Sequence, residues 1–192
     1  MRPVLAVLLA GLSCGCADYF GKTKDGTPGE PLGLYQLQAN ADMASSCTEI
    51  INATPRPWNF EVTLRREATD KGYWWSGPQA IEGTIDAKGQ IFFKQTIRVP
   101  VHGIDKVNGI GACAILRTDD FVGTLAGAPT SADGKASFTG TLRYSYQVEP
   151  GSDCRDVVGA PSEERKSPIF GVLPCDARFA VNATRIGDPK PK

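Results

Sequence analysis

The chain has 192 residues, with Lys plus Arg and Asp plus Glu balanced at 21 each, 41% hydrophobic residues and a single histidine. That length suits one domain, and the hydrophobic share is enough to build a core. The balanced charge gives no electrostatic case for binding nucleic acid or an anionic membrane surface, and one histidine sharply narrows His-based chemistry.

Met1-Arg2-Pro3 makes a basic start, and Val4 to Leu12 is an apolar run of signal-peptide length, too short to span a bilayer as a helix. Ser13-Cys14-Gly15-Cys16 follows. A Cys directly after such a run, preceded by a small residue, resembles the lipobox of bacterial lipoproteins. It departs from that pattern at the third residue before the Cys, where Leu is usual and Ser13 stands. The resemblance covers the leader alone. It implies a signal peptide over 1–15, attachment of palmitate-type acyl chains through a diacylglycerol on Cys16, and a partner in the membrane that this anchor enters. Ala17, where enteric lipoproteins retained at the inner membrane carry Asp, points to the outer membrane of the cell envelope. The alternative is an ordinary cleaved signal peptide and a secreted or periplasmic protein.

Residues 17–31 are polar and rich in Gly and Pro without apolar periodicity. The segment 16–32 therefore reads as the lipidated Cys and a flexible tether, 33–186 as a single all-β domain, and 187–192 as a frayed tail. Within the domain, alternation of period two dominates. Tyr35, Leu37, Ala39 and Ala41 share one face, as do Phe60, Val62 and Leu64, and then Ile91, Phe93, Ile97, Val99 and Val101. The clearest run places Phe138, Leu142, Tyr144, Tyr146 and Val148 opposite Thr139, Thr141, Arg143, Ser145 and Gln147. Half-buried alternation of this kind belongs to antiparallel sheet with one wet face.

The spacing predicts eight or nine strands, near 33–41, 58–67, 72–76, 80–86, 90–101, 112–118, 121–127, 136–149 and 177–186. Asp70-Lys71-Gly72, Asp86-Ala87-Lys88-Gly89 and Asp133-Gly134 read as hairpin turns that place Gly where φ can be positive. Hairpins in series predict an antiparallel meander, either an up-and-down barrel of lipocalin-like architecture or a sandwich. The lipocalin Gly-x-Trp motif is lacking, so the likeness is one of architecture alone. A short pattern, apolar-x-Gly-Thr-apolar, recurs at Ile81–Ile85, Phe121–Leu125 and Phe138–Leu142. Alternation turns Gly83, Gly123 and Gly140 inward, where they allow sharp coiling of the sheet or make room for a large ring.

Cys47, Cys113, Cys154 and Cys175 follow the leader, an even set that reads as two disulfides in an exported chain. Four thiols allow three pairings. Cys154–Cys175 is expected, closing the base of the polar segment between two strands, which leaves Cys47–Cys113. A zinc site is disfavoured, since no two of the four lie at C-x-x-C spacing and no His accompanies them.

No catalytic motif stands out. His102 has Asp105 near in sequence but no nucleophile elbow, and reads as a surface histidine at a turn. Trp74 and Trp75 are adjacent in a short strand and must face opposite ways, so one indole is a candidate for surface binding to a sugar or a partner. Asp119-Asp120 and Glu163-Glu164 lack calcium-loop spacing. Residues 155–168 read as a solvated loop, and the Asn-x-Thr patterns at Asn52 and Asn182 carry no meaning in a bacterial lipoprotein. No cofactor and no metal are expected.

The reading is thus a non-enzymatic envelope lipoprotein whose domain binds a small apolar ligand or an envelope partner. The alternatives are a structural or assembly lipoprotein acting through its outer surface, and a secreted hydrolase. An open apolar cavity would favour a ligand and a solid core would favour surface recognition.

Overall fold

The computed structural model describes residues 28–42, 44–77, 79–127, 136–159 and 169–189. The leader, Cys16, Asp133-Gly134 and Glu163-Glu164 lie outside the described residues. The alternating runs form eight strands: β1 (Glu30–Ala41), β2 (Trp58–Arg66), β3 (Lys71–Trp75), β4 (Ala80–Ile85), β5 (Gln90–His102), β6 (Cys113–Ala126), β7 (Ser137–Val148) and β8 (Cys175–Gly187). Each pairs antiparallel with its neighbours in sequence, and β8 returns to pair with β1, closing an up-and-down barrel. Closure decides between the barrel and the sandwich, and it leaves no strand at an outer edge along the paired lengths. The one helix among the described residues, α1 (Thr48–Ala53), is a single short turn beside Cys47.

Two expectations about strands need correction. Residues 112–118 and 121–127 are not two strands but the single strand β6, which runs straight through Asp119-Asp120. The ladder survives because each carboxylate has its own guanidinium: Arg117 for inward Asp119 and Arg143 for outward Asp120. At the β2–β3 turn, the residue with positive φ is Asp70 (61°), not Gly72, which already lies in β3. The β4–β5 turn does use its glycine, with Gly89 at φ 80° and the Asp86 carboxylate accepting the backbone N–H of Lys88 and Gln90.

Inward side chains fill the barrel's middle with rings. Trp74 lies 4.9 Å from Phe121 and 5.7 Å from Phe93, and Phe138 lies 5.6 Å from Phe121 and 5.1 Å from Tyr35, centroid to centroid. The inward glycines make this possible. Gly123 and Gly140 are cross-strand partners, and a Cβ on either would come within 2.7 or 2.5 Å of the Phe121 ring. The tip of the Phe121 ring, Cε1 and Cζ, thus rests on a glycine patch, as the repeated Gly-Thr pattern anticipates.

The chain enters β1 and leaves β8 at one end of the barrel, the lower end. There the Tyr35 hydroxyl is buried without a hydrogen bond among the described residues, and burial pushes the phenol up to about 12. The β1–β2, β3–β4, β5–β6 and β7–β8 connections all lie at the upper end.

Both disulfides tie upper loops together, and their pairing is Cys47–Cys175 and Cys113–Cys154, not Cys154–Cys175 and Cys47–Cys113. Barrel closure is the reason. Since β1 pairs with β8, the residues just after β1 lie beside the residues that open β8, and the Ser46 and Cys47 amides donate to the Asp176 carbonyl. Likewise Ile115 faces Val148, so the start of β6 lies beside the chain leaving β7. Cys175 pairs instead with Tyr146, eight residues short of Cys154 along the chain. Two disulfides belong to a chain folded in an oxidising, non-cytoplasmic compartment.

Candidate functional site: the barrel mouth

Strand lengths decide where the barrel opens. β5 and β6 pair from Gln90–Thr124 up to His102–Cys113, whereas β4 meets β5 only over Gly83–Ile85 against Ile91–Phe93. Above Phe93, β5 continues while β3 ends at Trp75 and β4 begins only at Ala80, so the wall is low on that side. The opposite rim is high and fixed by the two disulfides, by Asp153 accepting the Gly111 amide, and by Phe170 anchored against Tyr146. Val157 and Phe170 are buried in this rim, so the start of the 155–168 segment is not simply solvated.

Between low wall and high rim lies an open cavity of about 330 Å³. Its floor is Trp74, Phe93, Phe121 and Leu142, and its sides are Phe60, Ile81, Ile97 and Tyr144. Trp74 is therefore not a surface-binding residue: it is 4% exposed and forms the cavity floor. Trp75 takes the outer face and is half-buried.

Ser76 and Gln79 line the low wall, and one charged cluster interrupts the apolar lining deeper in. Cross-strand register sets Gln95, Asp119 and Tyr144 in one row over β5, β6 and β7, with Ile97, Arg117 and Tyr146 in the next row up. Arg117 and Asp119 are two apart on one strand and so share a face. The guanidinium grips the carboxylate with both prongs, Nε to Oδ1 at 2.7 Å and Nη2 to Oδ2 at 2.8 Å, and Gln95 Nε2 donates to Oδ2 at 3.3 Å. The guanidinium also lies 5.4 Å from the Tyr144 ring centroid. Burial works against the Arg117 charge, but the hydrogen bonds and charge of Asp119 outweigh it and hold the group protonated more firmly than usual. Burial, reinforced by the Asp119 charge, pushes the Tyr144 phenol up, so it stays neutral. The pair was hidden in the sequence because the predicted strands, 112–118 and 121–127, break at Asp119-Asp120. Carrying the parity of Phe121 and Gly123 back through one strand would have turned Arg117 and Asp119 inward.

His102 ends β5 on the rim, away from this cluster. Its Nδ1 meets the Gly103 carbonyl at 2.7 Å and its Nε2 the Asp156 carboxylate at 3.0 Å. Asp105, the neighbour expected from sequence, is instead engaged by Val107 and Asn108 in its own turn. With both ring nitrogens facing acceptors, the imidazole has no nitrogen free to take a proton from a nucleophile. No group of three or more His, Cys, Asp or Glu among the described residues is placed to hold a metal ion.

The arrangement offers a mainly apolar, ring-lined seat with a hydrogen-bonding edge at Gln95, Arg117 and Asp119. Compared with known proteins, the chain matches no family model, no curated protein and no solved structure.

Proposed function

We propose that this is an exported, lipid-anchored barrel that binds a small, mainly apolar molecule in its mouth and is not an enzyme. The observation that carries the reading is the 330 Å³ cavity over the Trp74–Phe93–Phe121 floor. Its volume lies at the small end of ligand sites, which are typically apolar with a few placed polar groups. A barrel built only for outer-surface recognition would gain stability by filling that space, since voids forfeit packing.

The anchor belongs to the same reading. The lipobox-like leader supports Cys16 as the acylated residue, in the envelope and at the outer membrane. From Cys16 to Pro28 is 12 residues (28 − 16), a reach of at most roughly 40 Å. Because β1 starts at the lower end, the tether joins the barrel at the end opposite the mouth.

Two variants test the parts separately. Wild type should bind the neutral dye N-phenyl-1-naphthylamine at one saturable site, and Ile97→Trp, which places an indole in the mouth, should abolish the fluorescence rise while keeping the fold. Binding unaffected by Ile97→Trp would contradict the cavity reading. Cys16→Ser should move the protein from the membrane to the soluble fraction, and a wild type that is soluble without acyl mass would remove the anchor.

A further inference from the structure

We propose that the Arg117–Asp119 pair makes the mouth selective for uncharged ligands: flat molecules of about two fused rings carrying a hydrogen-bond acceptor such as a ketone, with carboxylates rejected. The inference rests on the reading of the cavity as a ligand site and names the chemistry that site accepts.

Size comes first. An apolar cavity of about 150 Å³ accommodates benzene, and the mouth has about twice that volume. The shape follows from the lining, since the rings of Trp74, Phe93 and Phe121 below and Phe60 and Tyr144 beside favour an aromatic guest in offset or edge-to-face contact.

Charge selectivity follows from how Arg117 is used. It is the one cation among the described lining residues, and alone it would attract any anion. Its Nε and Nη2 are already committed to Asp119, whose side chain is 9% exposed, while the Arg117 side chain is 33% exposed. Nη1 makes no hydrogen bond among the described residues, so the guanidinium keeps a donor for the cavity while its charge is cancelled beside it. A ligand carboxylate reaching Nη1 meets the Asp119 carboxylate in a poorly solvated site, where like charges repel strongly. Prising Asp119 away would leave a buried carboxylate held only by Gln95, which is costlier still. A ketone oxygen accepts from Nη1 with neither penalty. Tyr144, kept neutral by burial, adds no charge.

Two near-isosteric probes isolate charge from shape: 2-acetylnaphthalene and 2-naphthoate, titrated calorimetrically near neutral pH, where the acid is ionised. Wild type should bind the ketone at least roughly tenfold more tightly than the carboxylate. Asp119→Asn keeps the side-chain shape and unmasks Arg117, so the ratio should fall to about unity or invert through a gain in carboxylate affinity. A wild-type preference below about tenfold overturns the proposal without needing any variant. A folded Asp119→Asn protein that keeps the wild-type ratio overturns it equally. If neither probe binds although N-phenyl-1-naphthylamine does, the selectivity is wrong and the ligand site stands; if none of the three binds, both readings fall.

Discussion

Gly140 shows how a single residue fixes the floor of the mouth. A Cβ there would sit 2.5 Å from Phe121 Cζ and 2.8 Å from the Gly123 Cα, which are a packed ring and a backbone atom. Neither can yield cheaply, so Gly140→Ala should cost about 1–3 kcal/mol through overpacking. Exposed Thr141, on the outer face, should change stability by less than about 0.5 kcal/mol as Thr141→Ala. Urea unfolding of the two variants checks the contrast, and equal effects would deny that Phe121 rests on the glycine patch. At the rim, the Gly103 carbonyl and then the Asp156 carboxylate hold the His102 imidazolium above its ordinary pKa. A group raised on folding stabilises the native state fully below the unfolded value near 6.5, and that stabilisation is lost as pH rises through the folded value. Because His102 is the sole histidine, its ring signals titrate alone in an NMR spectrum. The midpoint should lie above that of the unfolded chain and fall in Asp156→Asn; a midpoint at or below the unfolded one would mean that Asp156 is not its partner.

Among the elements, the strands were legible in the sequence and the ties between them were not. Alternation along Tyr35–Ala41 and Phe138–Val148 specifies both strand and inward face, because a one-residue slip would turn every ring out to water. The glycines of the Gly-Thr pattern declared close approaches, which Phe121 supplies at Gly123 and Gly140 and Phe93 at Gly83. Cys154–Cys175 failed as an expectation because a bridge was read as closing the loop that contains it. In a closed barrel the nearest neighbour of a loop is set by pairing across the sheet, and β1–β8 closure, invisible in local pattern, brings Cys47 to Cys175. Asp119 was hidden for a related reason: a charged residue inside a barrel is recognised only with its partner, and Arg117 was placed in a separate strand, 112–118, with Asp119 in the gap beyond it. Peptide mapping without reduction should recover Cys47 linked to Cys175 and Cys113 linked to Cys154. A fragment joining Cys154 to Cys175 would contradict the closure argument. The bridges span 128 and 41 positions, worth roughly 5 and 4 kcal/mol if they act by restricting the unfolded chain. Replacing Cys113 and Cys154 together by Ser should therefore lower stability by about 2–5 kcal/mol.

For the whole molecule, the two ends of the barrel have different work. The lower end is where β1 begins and β8 ends; the upper end is held open by strands of unequal length and a rim tied by disulfides. A rim fixed in this way arrives preorganised, so a guest need not order the loops on binding. The central claim is that the mouth is the binding site, and it is tested most directly by following backbone and indole resonances of the ¹⁵N-labelled protein during titration with N-phenyl-1-naphthylamine. The account predicts saturable shifts centred on the Trp74 indole and on Phe93, Ile97, Arg117, Phe121 and Tyr144, with Tyr35 and Arg185 at the lower end unmoved. Shifts centred on the outer face, or spread over the barrel without saturation, would contradict it.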